Sequence, residues 1–201
     1  TLQATLINGQ VTILNASLYV DPNVPILGCM DSTASNFNPL ANTSTVYGGA
    51  LDNTIGSGSF FEYNQYQIFN ANENCIIKSA TFYAENNKTI TFELRDQNGL
   101  VLDDTTHNVL PGQQTLQLNF DVPIGNNMEL GISSGNSDLY RNSSGANYPY
   151  NIGNVLTITG NSANEPAYYY FYYDIEVEIP CQNTSTDLVN IILEKKKLLT
   201  I

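Results

Sequence analysis

Tryptophan is absent from this 201-residue sequence, histidine occurs once, cysteine three times, and charged residues make up only 13%. Each shortage removes a class of function. The one histidine, His107, lies in the polar cluster Asp103-Asp104-Thr105-Thr106-His107-Asn108. A general base needs a positioned nucleophile and an orienting group, so a lone histidine there reads as a solvated turn residue. No Gly-x-Ser-x-Gly elbow, His-Glu-x-x-His pair, phosphate loop or dinucleotide fingerprint occurs, and no catalytic residue is assigned. Three cysteines are too few for a disulfide framework and lack the paired spacing of a zinc site. Basic residues are scarce as well, 7 against 19 acids, for a net charge of -12. Residues 1–194 hold all 19 acids and only four of the bases, Lys78, Lys88, Arg95 and Arg141, a balance of -15. Such a surface repels phosphate backbones and anionic lipid heads, which excludes nucleic acid as a primary partner. No run of 18 apolar residues exists, so membrane insertion is not expected, and no signal-peptide pattern opens the chain. A removed leader would still be consistent with a secreted precursor.

What is present is asparagine, 27 residues, and tyrosine, 13. Asn and Gly serve turns, while Thr, Tyr and Ile serve strands, and the combination suits an extracellular all-β protein. The stretch Tyr168–Ile179 shows it most clearly. Its odd positions, Tyr169, Phe171, Tyr173, Ile175, Val177 and Ile179, alternate with Tyr168, Tyr170, Tyr172, Asp174, Glu176 and Glu178. That is the two-residue period of one long strand with a buried face. Tyr168, Tyr170 and Tyr172 then form a strip on the other face, partly covered by the 1–46 segment or open as a binding surface.

Alternating segments and turn clusters continue from residue 47 to 181 without an amphipathic helix, the pattern of an antiparallel jelly-roll β-sandwich. Strands are expected at Phe60–Phe69, Ile76–Glu85, Thr89–Arg95, Leu100–Asp103, Thr115–Val122, Met128–Ser133, Leu139–Asn142 and Val155–Thr159. The register of Ile77, Ala80 and Phe82 calls for a bulge near Ser79. Ahead of this body, residues 1–20 carry Asn8-Gly9 between apolar runs and read as a hairpin or as the end of a preceding domain. Residues 21–46 form an ordered linker, and residues 182–201 a polar linker followed by an apolar, lysine-containing end. Cys75 opens one expected strand and Cys181 closes the last, so a Cys75–Cys181 disulfide between neighbouring strands competes with two separate buried thiols.

Candidate ligand positions follow from chemistry. Sugar rings stack on aromatic faces, and their hydroxyls accept from amide and guanidinium N–H groups and donate to carboxylates and amide oxygens. Tyr63 and Tyr66, and separately Tyr140-Arg141-Asn142 with Tyr148 and Tyr150, have that composition. The competing and favoured reading of Arg141 is structural, with the guanidinium pinning the Ser143–Gly153 loop through charged hydrogen bonds. Metal residues are left unassigned. Calcium is the one ion whose oxygen ligands the loops offer, at Asp96, Asn98, Asp103 and Asp104, or at Asp21, Asn23 and Asp31, with ordinary side-chain turns as the alternative.

Two resemblances sharpen these expectations. Gly28, Cys29, Asp31, Ala34, Asn36, Phe37, Asn38, Pro39 and Ala41 resemble a Gly-Cys-x-Asp-x-x-Ala-x-Asn-Phe-Asn-Pro linker repeat of large secreted Bacteroidota proteins. The closing cysteine of that pattern is replaced by Asn42–Val46, which leaves Cys29 as the candidate unpaired thiol. The phrases Thr115–Gly125, Leu139–Asn142, Tyr148–Gly153 and Tyr169–Asp174 are similar to the C-terminal jelly-roll modules of proteins exported by the Bacteroidota type IX secretion system. Leu188–Ile201, with Lys195-Lys196-Lys197, resembles the start of the corresponding sorting domain, a basic tail being the alternative. This implies the type IX machinery as a partner, and cell-surface or secreted localisation. It also implies O-glycosylation at Ser32 and Thr105, within Asp31-Ser32-Thr33 and Asp104-Thr105-Thr106. The expected function is a non-catalytic binding or spacer module for adhesion or a glycan or cell-surface polymer. The alternatives are an ancillary module of a secreted hydrolase, or a phage or virion surface protein.

Overall fold

The computed structural model describes residues 24–133 and 137–182, together with the backbone of Leu6–Ile7 and Gln10–Val11. In chain order the strands are β1 (Leu6–Ile7), β2 (Gln10–Val11), β3 (Thr45–Gly48), β4 (Gly58–Phe61), β5 (Gln67–Ala71), β6 (Cys75–Ala84), β7 (Lys88–Arg95) and β8 (Val101–Val109). They continue as β9 (Gly112–Val122), β10 (Gly125–Ile132), β11 (Leu139–Asn142), β12 (Tyr150–Ile152), β13 (Leu156–Asn161), β14 (Tyr169–Tyr170) and β15 (Tyr173–Glu178). The hairpin expected around Asn8-Gly9 is present as β1 paired with β2, Leu6 opposite Val11.

The body is the expected antiparallel β-sandwich. One sheet runs β12-β13-β5-β10-β7-β8, and the other contains β14-β11-β6-β15-β3, with β9 along β6 and β4 along β11. Most connections carry the chain from one sheet to the other, whereas β7–β8 and β12–β13 are hairpins within one sheet. Alternation dictates the core: Ile90, Phe92 and Leu94 from β7 and Leu118, Phe120 and Val122 from β9 are buried between the sheets. The bulge expected near Ser79 appears as a register shift between Ile77 and Ser79 in the β6–β9 ladder. The turn Asp96–Gly99 is held by Asp96, whose Oδ1 accepts from the amides of Asn98 (2.8 Å) and Leu100 (2.9 Å).

Two strands expected to be continuous are broken. Phe60–Phe69 divides into β4 and β5 because its halves serve different sheets, β4 pairing with β11 and β5 with β10 and β13. Tyr168–Ile179 divides into β14 and β15, with left-handed backbone at Phe171 (φ 63°) and Asp174 (φ 44°). The turn rotates the chain so that Tyr169 through Tyr173 are all buried. Tyr170 and Tyr172 are therefore not an outer strip. Tyr172 packs between the sheets against Phe82 and Phe92, and Tyr170 lies against Phe61. The cover comes from the sandwich itself. Beyond the break the expected alternation resumes, with Ile175, Val177 and Ile179 buried and Asp174, Glu176 and Glu178 half-buried.

The cysteine pairing differs from expectation. Cys29 bonds to Cys181 across a separation of 152 residues, and Cys75 is the free, buried thiol. The register explains why. Glu178 of β15 stands opposite Ile76, so Cys181 has already run past Cys75, whose own cross-strand neighbour is Val122. Residues 24–44 instead fold into a small lobe that docks on the departing chain. Asn36 Nδ2 donates to the Pro180 carbonyl, and the Ser35 amide donates to the Gln182 carbonyl, both at 2.9 Å. The Gln182 amide donates to Asn36 Oδ1, also at 2.9 Å. The segment expected to be a linker is a clasp on the sandwich.

Candidate functional site

Strand β11 carries the central triplet predicted for ligand binding, and strand geometry separates its members. Tyr140 and Arg141 project to opposite faces. Tyr140 meets Phe60 edge-on at 5.6 Å, while Arg141 faces Phe61, Tyr168 and Tyr170. Asn142 is fully buried and structural: its Nδ2 donates to the carbonyls of Asn53 (2.9 Å) and Gly56 (2.8 Å), and its Oδ1 accepts from the Tyr173 hydroxyl (2.8 Å). Tyr148 and Tyr150 pack edge-on at 5.4 Å, with Tyr148 stacked on buried Tyr169, so neither is a free stacking platform. The Tyr148 hydroxyl donates to the Tyr168 carbonyl, and burial pushes its pKa up. Tyr66 is engaged too, with its hydroxyl on the Ile132 carbonyl and its ring under Arg95. Tyr63, 68% exposed, packs edge-on against Phe61, a ring that Arg141 also meets.

Arg141 does not pin the Ser143–Gly153 loop, contrary to the favoured reading. That loop is held by backbone and serine contacts: the Ser57 amide donates to Ser144 Oγ (2.9 Å), and the Ser143 amide donates to the Ser57 carbonyl (2.8 Å). Gly145, with φ +88°, fits there because a Cβ would lie 2.0 Å from the Ile55 carbonyl oxygen. The Arg141 guanidinium carbon instead lies 4.6 Å from the Phe61 ring centroid and 4.4 Å from that of Tyr168. Its Nε and Nη1 are buried without a hydrogen-bond partner. The other described cations are ion-paired: Lys78 with Glu178, Lys88 with Asp138, Arg95 with Glu93.

Beside this face, the loops 146–148 and 159–166 enclose a concavity of about 420 Å³ lined by Asn147, Tyr148, Thr159, Asn161, Asn164 and Glu165, among others. Asn161 is committed to the wall. Its Nδ2 donates to the carbonyls of Glu165 (2.8 Å) and Tyr168 (3.1 Å), and its Oδ1 accepts from the amide of Ala163. The side chains of Asn147, Asn164 and Glu165 are exposed and hydrogen-bond to none of the described residues. Tyr168 links the two features, its carbonyl accepting from the wall residues Tyr148 and Asn161 and its ring lying on Arg141. Sequence reasoning missed Asn147, Asn164, Glu165 and Phe61 here, and it placed Tyr168 on a tyrosine strip rather than against Arg141. The asparagines look like ordinary turn residues, and pairing of β4 and β14 on either side of β11 brings Phe61 and the 168–170 segment to Arg141.

The remaining candidates have local roles. Asp96 serves its own turn. Asp103 accepts from the Asp104 and Asp121 amides, and Asp31 from the Thr33 amide and hydroxyl. Among the described residues no group of three or more His, Cys, Asp or Glu side chains is placed to hold a metal ion; Asp21 and Asn23 lie outside them. His107 is not a solvated turn residue: it lies in β8, half-buried, and its Nε2 donates to the Gln117 carbonyl of β9 (2.7 Å), closing the seam between the two sheets. Ser32 sits in an exposed turn of the lobe, whereas Thr105 is half-buried within β8. Burial, reinforced by the charge of Glu73, pushes the Cys75 thiol up to about 12, so it is un-ionised at neutral pH. The segment resembling a sorting domain lies outside the described residues.

A disulfide is compatible with an oxidising, extracellular compartment, and no described helix is long and apolar enough to cross a membrane. No curated protein and no solved structure matches the chain. One family model, described as a family of unknown function (DUF6426), matches residues 11–166, from the segment ahead of the clasp through β13 and into the concavity wall. Because that match covers most of the 201 residues, the chain belongs to the DUF6426 family.

Proposed function

We propose that the chain is a non-catalytic, extracellular glycan-binding module whose sugar contacts lie in the concavity between the 146–148 and 159–166 loops. The observation that carries this reading is the set of uncommitted polar side chains, Asn147, Asn164 and Glu165, around a space of about 420 Å³. That volume lies within the range of small-ligand pockets, and amides with a carboxylate supply both donors and acceptors for sugar hydroxyls. The walls are held by Asn161 and by the Tyr148 hydroxyl, which reduces the ordering cost of binding. Half-buried Tyr168, whose carbonyl accepts from the wall residues Tyr148 and Asn161, supplies apolar ring surface beside them. The clasp and disulfide suit a domain working outside the cell, at a surface or within a secreted multidomain protein.

A glycan array probed with this chain tests the reading. Binding to a defined glycan set is expected, and it should weaken at least tenfold in Asn164→Ala or Glu165→Ala with the melting temperature unchanged. Absence of binding across neutral and acidic glycans would leave the module a spacer.

A further inference from the structure

Arg141 is the described cation that the fold leaves unsatisfied, in a chain with 19 carboxylate side chains available. Its guanidinium is placed among Phe61, Tyr168 and Tyr170, which stabilise the charge through their ring faces but cannot accept its N–H hydrogens in the plane. Nε and Nη1 are buried with no partner, while Nη2 is not among the sealed atoms. Buried donors without acceptors are uncommon in native proteins, and each requires an explanation. Nη2 is thus the nitrogen open to a ligand, and a charge-assisted N–H···O bond from it suits a carboxylate oxygen. Tyr168 links this group to the concavity, its ring lying on Arg141 and its carbonyl accepting from Tyr148 and Asn161.

We infer that Arg141, framed by Phe61, Tyr168 and Tyr170, receives the carboxylate of a uronic acid residue on its open Nη2. This rests on the glycan-binding reading and names its substrate class. The acidic body, four bases against 19 acids over residues 1–194, repels a densely charged polyuronate. The fitting glycan is therefore a largely neutral one with widely spaced uronates, whose neutral part meets Asn147 and Asn164.

The chain has two arginines, so a proton–nitrogen spectrum shows two Nε–H signals, and Arg95, already paired with Glu93, serves as the internal reference. The probes are methyl glucuronide and methyl glucoside. Glucuronide is expected to move the Arg141 signal saturably and leave Arg95 in place, while glucoside moves only the Asn147 and Asn164 side-chain amides. Arg141→Met, an apolar side chain of similar reach, is expected to reduce glucuronide affinity at least tenfold, to the level of glucoside. Movement of the asparagine amides without Arg141 would overturn the carboxylate assignment and keep the glycan reading. An Arg141 signal that responds equally to both sugars would also overturn it. No movement with either sugar would remove both. A response to acetyl-dialanine with its free C-terminus, and none to glucuronide, would transfer the site to peptides and overturn the inference.

Discussion

The buried tyrosines and Arg141 occupy neighbouring rungs of the same sheet, yet the fold treats them oppositely. Tyr169, Tyr172 and Tyr173 are fully buried, and each hydroxyl has an acceptor: the Tyr172 carbonyl, the Gly131 carbonyl and Asn142 Oδ1. Burial raises the pKa of all three, so the phenols stay neutral donors. Arg141 carries a full charge among similar rings and has no acceptor. Where polarity serves stability, every group is matched to a partner within the chain. A group left unmatched beside a concavity is more useful to a ligand than to the fold.

The contrast can be broken by mutation, starting in the tyrosine cluster. Tyr172→Ala removes a ring between the sheets that touches Phe82 and Phe92 and should cost about 3–5 kcal/mol in chemical denaturation. A cost under about 1 kcal/mol would show that this part of the core is not tightly packed. Next comes Asn142→Ala, which strips the Tyr173 hydroxyl and the Asn53 and Gly56 carbonyls of partners; a loss of about 2–3 kcal/mol is expected. The paired cation Lys88 gives a smaller, pH-dependent effect. Its hydrogen bond to Asp138 holds that carboxyl below its ordinary value against the opposing effect of burial, with Asn86 assisting. The folded value is depressed, so the stabilisation is present above the unfolded value, about 4. It is lost as pH falls through the folded value. Thermal melts from pH 6 to pH 2 should show a shallower acid loss in Lys88→Met than in the parent. Smallest of all is Arg141→Met, expected to change stability by about 1 kcal/mol or less, and in either direction, because it removes unpaired donors while keeping the ring contacts. A large loss there would make Arg141 a structural residue and erase the contrast.

Much of the sandwich was legible because alternation is a local signal. Thr89–Arg95 and the Leu116-Leu118-Phe120 row declare their faces directly, Leu118 and Phe120 being buried and Leu116 half-buried, and Ile77, Ala80 and Phe82 betray the bulge at Ser79. The break in the tyrosine run was not legible. It depends on positive φ at Phe171, a bulky residue type that rarely adopts left-handed backbone, and at Asp174, whose place in an alternating run hides its turn character. The disulfide was misread because its partner is chosen by docking of the 24–44 lobe, a long-range event, rather than by strand register. The Arg141 face was half legible. Tyr63 and Arg141 were recognisable by chemistry, but Phe61 and Tyr168 reach the guanidinium only through strand pairing and the 159–168 loop.

The clasp has a mechanical consequence. Because Cys29 and Cys181 are joined and the hydrogen bonds of Ser35 and Asn36 lie beside that joint, tension arriving ahead of Cys29 passes on beyond Cys181 without crossing the sheets. A tethered molecule under flow would then load a covalent bond, while the sandwich hangs beside the line of force and keeps its fold. Reduction would reroute the load through the strands. Full extension of the 152-residue separation, at ~3.4 Å per residue, would release roughly 500 Å of chain, a length step that single-molecule pulling resolves with and without reductant.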